Sequence, residues 1–183
     1  MRATIIPTAL LAFAVAACSS PESEQEQPLA EPVETEAPLQ AVAMLVTADG
    51  TEVGRATAMP DGDSVAIALN VEGMTPGEHG VHVHETGSCV GPDFTSAGSH
   101  WNPAGAAHGL EDPEGQHAGD MPNLTVGEDG TGTLGYTLVG ARFDGLMDAD
   151  GSAFVIHADR DDQATDPSGN SGDRIACGIF TAG

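Results

Sequence analysis

The chain has 183 residues, with 28 acidic side chains against five arginines and no lysine, for a formal charge of −23. That balance excludes nucleic acid and anionic lipid surfaces as partners, because both need a basic face. The length suits one ordinary domain with additional segments, and 24 glycines with few aromatics favour β-structure with many turns.

Residues 1–17 are one arginine followed by a long apolar run that ends in small residues. This is the pattern of an export signal, short for a membrane span and followed by a very polar stretch. Its end, Val15-Ala16-Ala17-Cys18, resembles the lipobox of bacterial lipoproteins, whose cysteine is lipidated and becomes the mature N-terminus. An ordinary secretory signal cut after an Ala-x-Ala site also fits. The lipobox reading makes Cys18 the lipidation site and a diacyl group the only membrane contact. It places the protein in the periplasm or on the outer membrane of a Gram-negative bacterium. Residues 18–39 are rich in Glu, Pro and Gln, which predicts a disordered acidic tether. The folded domain is expected over residues 40–183.

From residue 40 the pattern is β. Strands are predicted over residues 41–47, 53–59, 64–71, 79–84, 124–126, 133–138, 152–157 and 175–180, most of them separated by Gly, Asp or Pro turn signals. No segment has a helical period. Eight short strands predict an all-β fold, an eight-stranded Greek-key β-barrel or sandwich. Two loops interrupt it, a long one over about 87–119 and a second over about 158–173. A loop as long as the first is normally functional.

The fourth strand holds the densest chemistry, His79-Gly80-Val81-His82-Val83-His84. Side chains alternate faces along a strand, so His82 and His84 share one face, and His79, Val81 and Val83 the other. Two histidines on a rigid strand are half of a metal site. The remaining four are His100, His108, His117 and His157, so six of the seven histidines fall between 82 and 157. His100, His108 and His117, with Asp120, are a sufficient tetrahedral set for zinc. The loop that carries them has little apolar content, and a metal could supply its ordering energy. His157 ends the seventh strand and could join His82 and His84.

Five motifs in order resemble copper/zinc superoxide dismutase of the bacterial exported type. They are Gly80–Glu85, Thr95–Pro103, His108-Gly109, His117–Asp120 and Gly169–Gly178, and the likeness to the exported branch rests on Pro92-Asp93-Phe94 and Gly119–Leu124. The resemblance implies copper held by His82, His84, His100 and His157, and zinc held by His100, His108, His117 and Asp120, with His100 bridging both. It implies that Asp161 links the metal histidines from behind, as outer carboxylates do. His79 becomes a structural histidine that ties a loop carbonyl to the barrel, in keeping with its opposite face. Cys89 and Cys177 become a disulfide, which the exported location permits. Closing so long a loop contributes about 4–5 kcal/mol on the chain-entropy view. Arg174 becomes the group that attracts and orients an anion beside the copper.

The implied substrate is superoxide. Copper takes an electron from one molecule and returns it to a second, and His100 carries a proton, so His100 and Arg174 are the catalytic expectations. The negative charge is awkward for an anionic substrate, since the second loop carries only Arg160. The alternative is a periplasmic copper/zinc-binding module without turnover. A structural envelope protein ordered by zinc alone is a third reading. The chain is expected as a monomer or homodimer.

Overall fold

The computed structural model describes residues 39–183; the expected export segment, Cys18 and the tether up to residue 38 lie outside the described residues. Its strands are β1 Ala41–Thr47, β2 Glu52–Asp61, β3 Ser64–Val71, β4 Gly77–His79, β5 Val81–His84, β6 Leu124–Val126, β7 Gly132–Leu138, β8 Ala153–His157, β9 Arg174–Ile179 and β10 Thr181–Ala182. All pairings between them are antiparallel. The order across the sheet is β4-β6-β7-β3-β2-β1-β9-β8-β5, with β10 on β1.

The two ends of that path, β4 and β5, are joined through Gly80 alone, so the sheet is nearly closed into a barrel. The predicted fourth strand is therefore two. His79 pairs with Leu124 on one side of the closure, and Val81–His84 pairs with Ala153–Ile156 on the other. Gly80 sits where the chain changes partners. Its N–H donates to the Asp159 carbonyl and its carbonyl accepts from His157, both at 2.8 Å. A Cβ there would lie 2.8 Å from the Ser171 Cβ, so the close approach of the second loop requires glycine.

The core follows the strand period. Val65, Ile67, Leu69 and Val71 of β3 are buried, and their neighbours face out. Ala41, Ala43 and Leu45 do the same on β1. Val81 and Val83 join this core from β5, each large side chain contributing about 1.5–3 kcal/mol on burial. Outside the barrel, over β8 and β9, a smaller cluster forms from Phe94, Ala97, Ala153, Val155 and Cys177. The Cys89–Cys177 disulfide closes it.

The long loop is anchored to the barrel by backbone hydrogen bonds and by packing. It lies along the free edge of β5, where Val83 donates to Gly119 at 3.0 Å and accepts from Trp101 at 2.8 Å. Trp101, Ala118 and Met121 reach from it into the barrel core. Its few apolar residues are thus aimed inward, and the edge strand that would otherwise stand open is covered. Two short turns depart from the all-strand expectation, a 3₁₀ turn at Thr95–Ala97 and one helical turn, Phe143–Leu146. Each is too brief to show a period in the sequence.

Candidate metal centre

The parity of β5 sends Val81 and Val83 inward and leaves His82 and His84 on the outer face, beneath the loop, where both are fully buried. The loop brings His100 opposite His84, and Asp120 opposite His82, through isolated antiparallel bridges. β8 ends on His157, beside β5. Two ligand sets result, His82, His84, His100 and His157, and His100, His108, His117 and Asp120. In each set the possible ligand atoms lie within 4.8 Å of one another, and His100 belongs to both.

The outer nitrogens of these rings are fixed from behind. His82 Nε2 lies 2.5 Å and His108 Nε2 3.1 Å from opposite oxygens of Asp161. His84 Nδ1 lies 3.0 Å from the Gly98 carbonyl and His157 Nδ1 3.2 Å from that of Gly172. Asp120 accepts the backbone N–H groups of Gly109 at 2.9 Å and His117 at 3.0 Å. Its carboxylate lies 3.0 Å from His100 Nδ1, 3.2 Å from His108 Nδ1 and 3.3 Å from His117 Nδ1. What remains inside is His82 Nδ1 and the Nε2 atoms of His84, His100 and His157, four buried nitrogens with no hydrogen-bond partner, while His108 Nδ1 and His117 Nδ1 face only the Asp120 carboxylate. Buried polar groups normally find a partner.

The electrostatics divide the rings. Burial lowers His100 to about 4 and His157 to about 3, the latter helped by the neighbouring His82. Burial lowers His84 and His82 too, and Asp161 opposes it at His82. Burial also acts against a charged His108, but Asp120 and Asp161 overcome it and hold that ring up to about 9. Burial would raise Asp161 and Asp120, but hydrogen bonds from the histidines and from backbone N–H groups keep both well below the usual carboxylate range.

His79 stands apart from both sets. Its Nδ1 lies 2.8 Å from the His157 carbonyl and its Nε2 2.9 Å from the Thr75 carbonyl. Arg174, at the start of β9, donates to the carbonyls of Phe94 at 2.8 Å and Gly98 at 2.7 Å. It lines a pocket of about 230 Å³ with His84, His100, His157, Pro167 and Ser168. Among the described residues it forms no ion pair.

Two further residues of the site carry no signal in the sequence. Asn123 clamps the backbone of Asp161, accepting its N–H at 2.8 Å and donating to its carbonyl at 2.9 Å. Gln163, in the left-handed region at φ 64°, donates its N–H to the Asp161 carboxylate at 2.6 Å. Asn123 lies just after Asp120, but nothing local signals a partner 38 residues away.

A nearly closed antiparallel barrel carrying two overlapping histidine sets on one outer face defines a two-metal β-barrel protein. The family model described as copper/zinc superoxide dismutase (SODC) matches residues 52–180. The copper-zinc superoxide dismutase 2 of Aquifex aeolicus is 42% identical over 148 residues, covering 78% of this chain and 86% of that protein. The superoxide dismutase-like protein YojM of Bacillus subtilis is 39% identical over 191 residues, 98% of this chain and 96% of that one. Among solved structures, a SOD-like protein from Bacillus subtilis superposes with a TM-score of 0.70 at 41% identity, over 76% of this chain and 97% of that one. The Cu/Zn superoxide dismutase of Brucella abortus gives 0.65 at 26%, over 78% and 99%. This chain belongs to the copper/zinc superoxide dismutase family, and its cofactors are copper and zinc.

Proposed function

We propose that the protein disproportionates superoxide to oxygen and hydrogen peroxide, using copper and zinc bridged by His100. The four inward nitrogens without partners, beside three ring nitrogens gathered on the Asp120 carboxylate, carry this reading. Left bare, each buried nitrogen would cost about 1–3 kcal/mol, and imidazole suits both metals. His82 Nδ1 with the Nε2 atoms of His84, His100 and His157 would hold copper. The Nδ1 atoms of His100, His108 and His117, with Asp120, would hold zinc.

Copper, when bound by these histidines, would supply the one-electron chemistry that two successive superoxide anions require. The chain's own residues supply the rest. Arg174 presents a positive charge in the pocket that attracts the anion and sets its direction. His100 takes a proton from solvent at Nε2 in one half of the cycle and gives it to the product in the other, solvent supplying the second proton of hydrogen peroxide, while Nδ1 stays directed at Asp120. Asp161 fixes the planes of His82 and His108 from behind, so neither ring can turn away. We also propose export, with lipid on Cys18 and residues 18–39 as the spacer, on the pattern of residues 1–18.

A second reading, a metal-binding module without turnover, has one observation in its favour. The Bacillus subtilis relatives of this fold are described only as SOD-like, and one solved form is a double mutant with a tyrosine and a proline each changed to histidine. Metal analysis and a superoxide disproportionation assay on the purified protein separate the readings. Copper and zinc near equal stoichiometry with fast turnover is the expected result. Both metals without turnover would establish the binding module, and zinc alone would remove both. A diacyl mass on the Cys18 peptide from the same preparation is expected under this proposal; an unmodified Cys18 would refute the lipid anchor, and an uncleaved segment 1–17 would refute export.

A further inference from the structure

What holds Arg174 is backbone, not a carboxylate. Its Nη1 donates to the Phe94 carbonyl and its Nη2 to that of Gly98. Both acceptor residues have positive φ, Gly98 at 77° and Phe94 at 52°, and Phe94 is left-handed with ψ 22°. Glycine enters that region freely, whereas a bulky aromatic residue is strained there. Strain of this kind persists only where the surroundings over-determine it. Around Phe94 they do. Its side chain is 2% exposed and packs with Ala97, Ala153, Val155 and Cys177. The Asp93 carboxylate spans Phe94 as well, accepting the Thr95 N–H at 3.2 Å and its hydroxyl at 3.0 Å, and the Phe94 carbonyl also takes the Ala97 N–H at 3.1 Å.

The choice of partner has a chemical consequence. A carboxylate would fix the guanidinium and cancel its charge. Two carbonyl dipoles fix its direction and leave the positive charge available to an anion. Asp93, the neighbour of Phe94, turns its carboxylate to the Thr95 N–H and hydroxyl rather than to Arg174. We propose that Phe94 is a positioning residue for Arg174: its buried ring pins a strained left-handed backbone whose carbonyl fixes the guanidinium at the pocket. This rests on the reading of Arg174 as the anion-orienting group, and deepens it.

The test uses metal-loaded protein in three variants, Phe94→Ala, Phe94→Leu and Arg174→Ala. Two quantities are measured: the affinity for azide as an anionic probe, and the rate at which phenylglyoxal modifies Arg174, followed by peptide mass. Arg55, Arg142 and Arg160 serve as internal references. Phe94→Ala is expected to weaken azide about tenfold, the loss of one hydrogen bond to a charged group. It should speed modification of Arg174 several-fold with the three references unchanged. Phe94→Leu, which keeps an apolar anchor, should fall between. A merely structural role would lower thermal stability and move neither quantity. If Phe94→Ala does not fold, Phe94→Leu carries the test, and parental values of both quantities in it overturn the proposal. Unchanged azide affinity in Arg174→Ala would instead sink the reading of Arg174 itself. Weak azide binding there, with parental behaviour in the Phe94 variants, sinks only the role of Phe94.

Discussion

His108 decides how the zinc half is loaded. Asp120 lies 3.2 Å from one ring nitrogen and Asp161 3.1 Å from the other, and together they hold the ring up to about 9 against its burial. At neutral pH the metal-free ring therefore keeps a proton on the nitrogen that zinc needs. Zinc uptake must displace it, so about one proton should leave per zinc, and affinity should rise about tenfold per pH unit until the pH passes that value. Above it the dependence from this ring should vanish. His100 and His157 behave in the opposite sense, because burial has already made them neutral. Calorimetric titration of zinc into metal-free protein, in buffers of different ionisation enthalpy, reads the proton count directly. Uptake at neutral pH with no proton released would contradict the double carboxylate clamp on His108.

At the scale of elements, the second loop is seated on the metal histidines by a glycine. Gly169 has φ +63°, and a Cβ there would lie 1.8 Å from Asp161 Oδ1 and 2.7 Å from His108 Nε2. Gly169→Ala must therefore lift the loop off the carboxylate that orients two ligands, at a cost of about 1–3 kcal/mol. Lower thermal stability and weaker zinc retention against a competing chelator are expected. Gly135→Ala on β7 is the control, since nothing lies within 4 Å of its Cβ, and it should stay within about 0.5 kcal/mol of the parent. Equal behaviour of the two variants would remove this role for Gly169. The contrast also marks what a sequence can disclose. The alternation of Val81 and Val83 with His82 and His84 is legible because strand parity is local, and the histidine motifs are legible because their types and order are distinctive. The break of the predicted fourth strand at Gly80 is not, because it depends on Asp159 and Ser171 coming close in space. The Asn123 clamp on Asp161 and the carbonyls that hold Arg174 are hidden for the same reason: each joins segments far apart in sequence through backbone atoms that every residue possesses.

For the molecule as a whole, the charge must be reconciled with an anionic substrate. Residues 40–183 hold 22 acidic side chains and four arginines. Arg142 is engaged by Asp144 and Asp63, and Arg160 by Glu78. Arg55 shares a surface groove with Glu52 and Glu72. Only Arg174 faces the pocket of the metal centre. Long-range steering of superoxide is therefore weak, and the surrounding field opposes the approach. Two terms then respond to salt. The distant repulsion is screened once the Debye length drops from about 30 Å at 0.01 M to about 10 Å at 0.1 M. The attraction by Arg174 acts over a few ångströms from a half-buried position and is screened much less. Relief of repulsion at least offsets the small loss of attraction, so the second-order rate constant should stay level or rise slightly as salt is raised over this range. Pulse radiolysis of the metal-loaded protein across that range measures it. A steep fall would mean an attractive steering field that the four arginines of the folded residues cannot supply.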